Sequence, residues 1–313
     1  MDRLYKYRPL FVPGPNAYPE IDRNTQKLFL HSEIFFNTPT NFPDSNDSNV
    51  GLDFASATES ATEDWYKSGF LFSGESNEEI KKQTSMFIQN KERMQQNVTR
   101  ETFMMVLFKV FSATDTSTDL LLWKEYGADQ HGVCFGFKVF HDDSGEVYTL
   151  IDPESLHPEI LEFDTPEPAK NLRDVQSKLP NEILRPYRIT FQQISYSSAP
   201  YETQKIVDEK YEELLEAYNR KNKNFTFEKE WRSRLFVMQI GTPGTCCLQP
   251  GIVDEVVFGS LVSKEEIYKT FDFLSLNGKL NDYSYFQTVL DRDNNSLKRI
   301  PLDPKLCDLR FLV

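Results

Sequence analysis

The densest run of chemically capable side chains is FTFEKEWRSRL at Phe225–Leu235. Read as a strand, it alternates with period two. Phe225, Phe227, Trp231 and Leu235 fall on one face, with Lys229 as an interruption. Thr226, Glu228, Glu230, Arg232 and Arg234 fall on the other. A carboxylate in such a group can relay a proton or stabilise a developing positive charge. A guanidinium fork suits a phosphate. Glu230 and Glu228 are therefore the candidate catalytic residues, and Arg232 a candidate ligand contact. The bland alternative is a salt-bridged solvent face, whose ion pairs would each contribute little.

Other positions carry weaker chemistry. Tyr5, Lys6, Tyr7 and Arg8 sit together in the opening LYKYR. They suit an N-terminal strand with aromatic packing, or a ligand grip through Arg8. Trp123 and Tyr126, three apart on a helical stretch, either pack or stack on a ring. His131 precedes a strand and suits a surface position better than a general base. His31, His141 and His157 share no metal-ligand spacing with each other or with the cysteines, so no zinc site is expected. Cys134 suits a packed small hydrophobe. No Walker loop, GxGxxG or GxSxG is present.

The elements that must position these groups alternate irregularly. LYKYR reads as a strand, followed by a Pro-rich loop. A helix capped by Asn24 runs to about His31, and Glu33–Phe36 reads as a second strand. Residues 37–64 are rich in Pro, Asn, Asp and Ser and predict a mobile surface loop, with a lid as one role. Glu78–Gln96 reads as a helix. FMMVLFKVF at Phe103–Phe111 fits a strand buried on both faces. Thr118–Tyr126 reads as helix, with Gly127 as its stop. Gly132–Val139 reads as a strand, and its Gly136 leaves room for a ligand or a neighbouring backbone.

Asp152–Asn181 predicts short helices and loops, Tyr187–Tyr196 a strand and Glu202–Arg220 a long helix. The charged strand then runs to about Ile240. Ile252–Gly259 reads as a strand. Ser263 with Glu266 forms a capping box opening a helix. Tyr283–Leu290 and Leu297–Leu302 read as a terminal hairpin. The pattern predicts one α+β domain over 1–313, with a mixed, mostly antiparallel sheet flanked by helices.

Totals bound the rest. Among 313 residues, Phe 25 and Tyr 14 can fill a sizeable core. A net charge of −13 gains little from a phosphate backbone, leaving only a local basic cleft for nucleic acid. No apolar run is long enough to span a membrane. The opening lacks an apolar h-region, so a cytoplasmic protein with reduced thiols is expected. Oligomeric state is not legible.

Four blocks resemble a bacterial family known as domain of unknown function 2971. They are LYKYR, FSATDTSTDLLLWKEYGADQHGVCFGF at Phe111–Phe137, FEKEWR at Phe227–Arg232 and DEVVFG at Asp254–Gly259. Trp123, Tyr126, Gly132, Glu228, Glu230 and Arg232 match its pattern. One departure stands out: Phe42-Pro43-Asp44-Ser45 replaces the family's usual Phe-Asn-Asp-Pro. More distantly, the element order is similar to the ADP-ribosyltransferase layout. That resemblance implies NAD as substrate. Arg8 or Tyr7 would grip it, Ser112 would shape the nicotinamide pocket, and Glu230 or Glu228 would bond the ribose. It implies a toxin or phage-defence effector acting on a protein or nucleic acid. The alternatives are a metal-dependent nuclease-like hydrolase using Glu228 and Glu230, and a non-catalytic sensor or partner-binding module of a bacterial defence system. Convergence of Arg8, Ser112 and Glu230 on one pocket is the geometry that the transferase reading requires.

Overall fold

The computed structural model describes residues 1–14, 19–38, 55, 57–67, 76–97, 108–155, 188–198, 219–236 and 244–305. The chain opens with β1 (Arg3–Arg8), β2 (Phe11–Pro13), β3 (Pro19–Ile21), α1 (Arg23–His31) and β4 (Glu33–Phe35). Helices α2 (Glu59–Lys67) and α3 (Asn77–Asn97) precede β5 (Phe108–Thr114) and α4 (Leu120–Glu125). Next come β6 (Val133–Lys138), β7 (Phe140–His141), β8 (Val147–Leu150), β9 (Arg188–Gln193), β10 (Ser195–Ser197) and β11 (Arg220–Asn222). The last described elements are β12 (Glu230–Phe236), β13 (Thr245–Cys247), β14 (Val253–Phe258), α5 (Lys264–Leu276), β15 (Ser284–Asp291) and β16 (Ser296–Leu302).

Ten of these strands form one sheet in the order β16-β15-β14-β6-β1-β5-β12-β9-β8-β7. Only β14 and β15 run parallel within it, so the sheet is mixed and mostly antiparallel, as α+β predicts. Alternation decides the two faces. Leu4, Val133, Phe135, Phe137, Val256 and Phe258 enter the large core with α1 and α5, through Leu28, Phe29, Phe271 and Leu274. Tyr7, Cys134 and Val257 point the other way, into a smaller cluster with Leu122 and Trp123 of α4.

Several predicted elements stand as read. The Ser263/Glu266 capping box opens α5. β15 and β16 pair antiparallel as the terminal hairpin. Cys134 is fully buried. Others shift. Asp22, not Asn24, caps α1, accepting from the Asn24 and Thr25 N–H groups. The apolar strand runs past Phe111 to Thr114, so Ser112 lies inside it. Gly136 makes room for side chains: a Cβ there would meet the Glu255 Cβ and the Tyr5 ring at 3.0 Å. The expected loop at 37–64 lies largely outside the described residues. Its ends carry structure, with an Asn37–Val110 bridge and the start of α2. Most of the expected helix at 202–220, and of the segment 152–181, also lies outside them; Arg220 begins β11.

The charged stretch differs most. Lys223–Glu228 is a 3-10 helix, and the strand starts only at Glu230. The change occurs at Lys229, held in the left-handed region at φ 43 and ψ 47. That residue breaks the period-two pattern, so Glu228 and Glu230 do not share a strand face. The burial is also reversed. Glu228, Glu230 and Arg232 are 4%, 5% and 1% exposed, while Phe225, Phe227 and Trp231 are only half-buried. A solvated face is therefore excluded.

A β-branched residue tolerates the left-handed region poorly, at a cost of roughly 1–2 kcal/mol. Lys229 is exposed and has little packing to lose. Lys229→Ile is expected to lower unfolding stability by about that amount, and Lys229→Gly to hold or raise it slightly. Urea titration checks both. Equal stability of the Ile variant would contradict the left-handed stop.

Candidate functional site

The site forms where the sheet splits. β1 pairs with β6 along its whole length, from Arg3↔Lys138 to Arg8↔Val133. β5 pairs with β12 just as fully, from Thr114↔Glu230 to Phe108↔Phe236. Between β1 and β5 the only register pair is Tyr5↔Thr114. Beyond it the two strands diverge. The Lys6 side-chain nitrogen reaches across the gap and donates to the Ser112 carbonyl oxygen at 2.6 Å. A cavity of about 370 Å³ opens at this fork. Its size falls within the range of small-molecule sites.

Its walls mix apolar side chains, among them Phe35, Val110, Leu122 and Phe225, with charged ones. Arg8 and Lys6 come from β1, Ser112 and Thr114 from β5, and Glu230 and Arg232 from β12. Tyr126, Lys221 and Glu228 complete the far side. Cross-strand register sets Ser112 opposite Arg232 and Thr114 opposite Glu230. The 3-10 helix is capped by the Asn222 side chain and stopped by Lys229, and this delivers Glu228 beside Glu230. Tyr196 fixes the start of β12 by accepting the Glu230 N–H at 2.8 Å.

Lys221 holds the two carboxylates together. Its ammonium donates to Glu228 Oε2 at 2.6 Å and to Glu230 Oε2 at 3.2 Å. Arg232 donates from Nε to Glu230 Oε1 at 2.7 Å and from its terminal nitrogen to Oε2 at 3.1 Å. The Tyr126 hydroxyl donates to Glu228 Oε1 at 2.5 Å. All of these groups except Tyr126 are buried. A buried ion cluster is a weak stabiliser compared with apolar packing of equal volume. Its presence at a cavity points to chemistry.

The environment separates the two carboxyls. Burial works against the Glu230 charge, but Arg232 and Lys221, with bonds from Arg232 and Ser112, outweigh it. They hold Glu230 well below the usual carboxylate range. Burial, joined by the charge on Glu230, raises Glu228 against the pull of Lys221. Glu230 is thus the fixed anion and Glu228 the carboxyl that exchanges a proton more readily. Burial, with repulsion from Arg8, pushes Lys6 down to about 7. Burial also lowers Arg8. The Arg8 Nε is buried without a partner.

Tyr7, Arg8, Ser112, Tyr126, Glu228, Glu230 and Arg232 all line the one cavity. Trp123 does not, which corrects its assignment as a ligand contact. It is fully buried, its indole N–H donates to the Ser117 carbonyl at 2.9 Å, and it packs edge-on against Tyr7 at 4.9 Å. The Tyr7 hydroxyl is itself engaged, donating to the Thr116 carbonyl at 3.0 Å. His131 is exposed, in the turn before β6. Sequence reasoning missed Lys221, which lies in a KNKN run that resembles a turn, and passed over Lys6 as part of a packed strand. No protein-family model, curated protein or solved structure matches the chain.

Glu230 binds a proton less readily folded than unfolded. The stability it confers is complete above the ordinary Glu value of about 4.3 and is lost as pH falls from there. Glu230→Gln is expected to flatten the acid limb of the stability–pH curve by up to ~1.4 kcal/mol per pH unit. Urea midpoints measured below about pH 5 read this directly. An unchanged acid limb would show that Glu230 is not held ionised.

Proposed function

We propose that the chain is an NAD-dependent ADP-ribosyltransferase-like enzyme, allied to the bacterial domain of unknown function 2971 family. In this reading it is a toxin or phage-defence effector that modifies a cytoplasmic protein or nucleic acid. The observation that carries it is the meeting of Arg8, Ser112 and Glu230 in one cavity at the β1–β5 fork. The loop at 42–45, where the sequence departs from the family, lies outside the described residues.

The chemistry suits the groups present. Breaking the bond from ribose to nicotinamide leaves an oxocarbenium-like sugar. Glu230, ionised and fixed by Arg232 and Lys221, supplies a preorganised negative charge beside it. Glu228 takes the proton of the acceptor nucleophile. Its raised proton affinity and Tyr126 contact suit that exchange. Arg8, with its unpartnered Nε, takes the pyrophosphate bidentately. The walls carry three guanidinium or ammonium groups, on Arg8, Lys221 and Arg232, against two carboxylates. A locally positive cleft in a chain of net −13 favours an anionic ligand.

The metal-dependent hydrolase fits less well. Lys221 and Arg232 already occupy the carboxylate oxygens, and their charge repels a divalent cation.

Glu230→Gln keeps the shape of the side chain and removes the charge. NAD turnover, followed as nicotinamide release, is expected to fall by at least about 10²-fold with the fold intact by circular dichroism. Arg8→Ala is expected to raise KM more than it lowers kcat. Equal NAD consumption by Glu230→Gln and the parent would sink the proposal.

A further inference from the structure

One cavity group has no part in the transfer chemistry above. Lys6 follows the Tyr5–Thr114 join of the strand fork, two residues from Arg8 on the same side of β1. Its nitrogen donates one hydrogen bond, to the Ser112 carbonyl, and lies 5.0 Å from the centre of the Phe111 ring. Among the described residues it forms no ion pair with a carboxylate. An ammonium carries three donors and would seek more partners; a neutral amine with one donated bond keeps its lone pair free. A lysine that is desolvated and set beside another cation is the usual form of an amine nucleophile. Arg8, next to it, has a buried Nε with no partner and no ion pair among the described residues.

We propose that Lys6 is a reactive amine that forms an imine with a small aldehyde or ketone carrying a phosphate, and that Arg8 takes the phosphate. The Lys6 nitrogen supplies the electron pair that adds to the carbonyl carbon. The carbonyl oxygen then leaves as water with the two amine hydrogens, and a carbon–nitrogen double bond remains. No oxidant or reductant is consumed. The groups acting on Lys6 are consistent with this role. Burial first, then Arg8, disfavour its charge, while Glu230 and Glu228 across the cavity and Cys134 from β6 favour it. The balance leaves the amine at about 7, so it reacts near neutrality, where surface lysines of ordinary pKa are almost wholly protonated. This inference is independent of NAD turnover and is read without it.

The test uses the full chain at neutral pH with limiting pyridoxal 5′-phosphate or pyridoxal, followed by borohydride reduction and peptide mass mapping. Lys6 is expected to be the first lysine modified. The phosphate-bearing aldehyde is expected to modify it about tenfold faster than pyridoxal, the worth of one charge-assisted contact. Arg8→Gln is expected to abolish that preference, and Lys6→Arg to abolish the modification. Inorganic phosphate is expected to protect Lys6 in the parent protein, a readout that needs no variant to fold. Modification confined to surface lysines would overturn the proposal. So would a phosphate preference that survives in folded Arg8→Gln, or an absence of protection by phosphate.

Discussion

The site depends on one buried ammonium shared between two carboxylates. Lys221 reaches both Glu228 and Glu230, and Arg232 closes the other side of Glu230. Removing any one of these charges would leave its partners buried without compensation, at a cost of about 3–5 kcal/mol for such a break. The arrangement therefore fixes three consecutive backbone segments relative to one another: β11, the 3-10 helix and the start of β12. It also forces an asymmetry on the two carboxyls. Glu230 receives two cations and stays ionised; burial and the neighbouring Glu230 charge raise Glu228 against the pull of Lys221 and the Tyr126 hydroxyl. Two chemically similar side chains thereby acquire opposite shifts in proton affinity.

The second constraint is the fork. β1 and β5 meet at Tyr5 and Thr114 and then separate. Separation leaves strand edges facing a cavity instead of each other. Lys6 bridges part of that gap and Arg8 stands at its open end. Each strand is anchored on its outer side, β1 by β6 and β5 by β12, so the gap does not close. Trp123 and Tyr7 buttress the wall from the α4 side. Rigid strands thus present groups that would repel one another if they were free to move.

Much of this was legible in the sequence. Several of the longer strands, the terminal hairpin and the α5 capping box follow from periodicity and cap chemistry, both local. Seven of the eight candidate residues line the cavity: Glu228, Glu230 and Arg232 stood out by residue type and spacing, whereas Tyr7, Arg8 and Ser112 came from the resemblance in element order. Trp123 was misassigned because an aromatic on a helix looks the same whether it faces a ligand or a core. The Glu228–Glu230 relation was misread for a different reason. Alternation assumes an unbroken strand, and one left-handed residue at Lys229 is invisible to it. Lys221 could not be found at all. Its role arises from β10–β11 pairing, which brings it beside a helix that follows it in sequence. Burial of the charged group was also beyond reach, since density of charge ordinarily signals solvent.

The central claim is that the fork binds NAD with its pyrophosphate at Arg8 and its nicotinamide ribose at Glu230. A crystal structure of the protein with a non-hydrolysable NAD analogue tests it most directly. The predicted result is a pyrophosphate oxygen within hydrogen-bond distance of the Arg8 guanidinium and a ribose hydroxyl on the Glu230 carboxylate. An analogue bound away from the β1–β5 fork, or a fork that stays empty at saturating analogue, would contradict it.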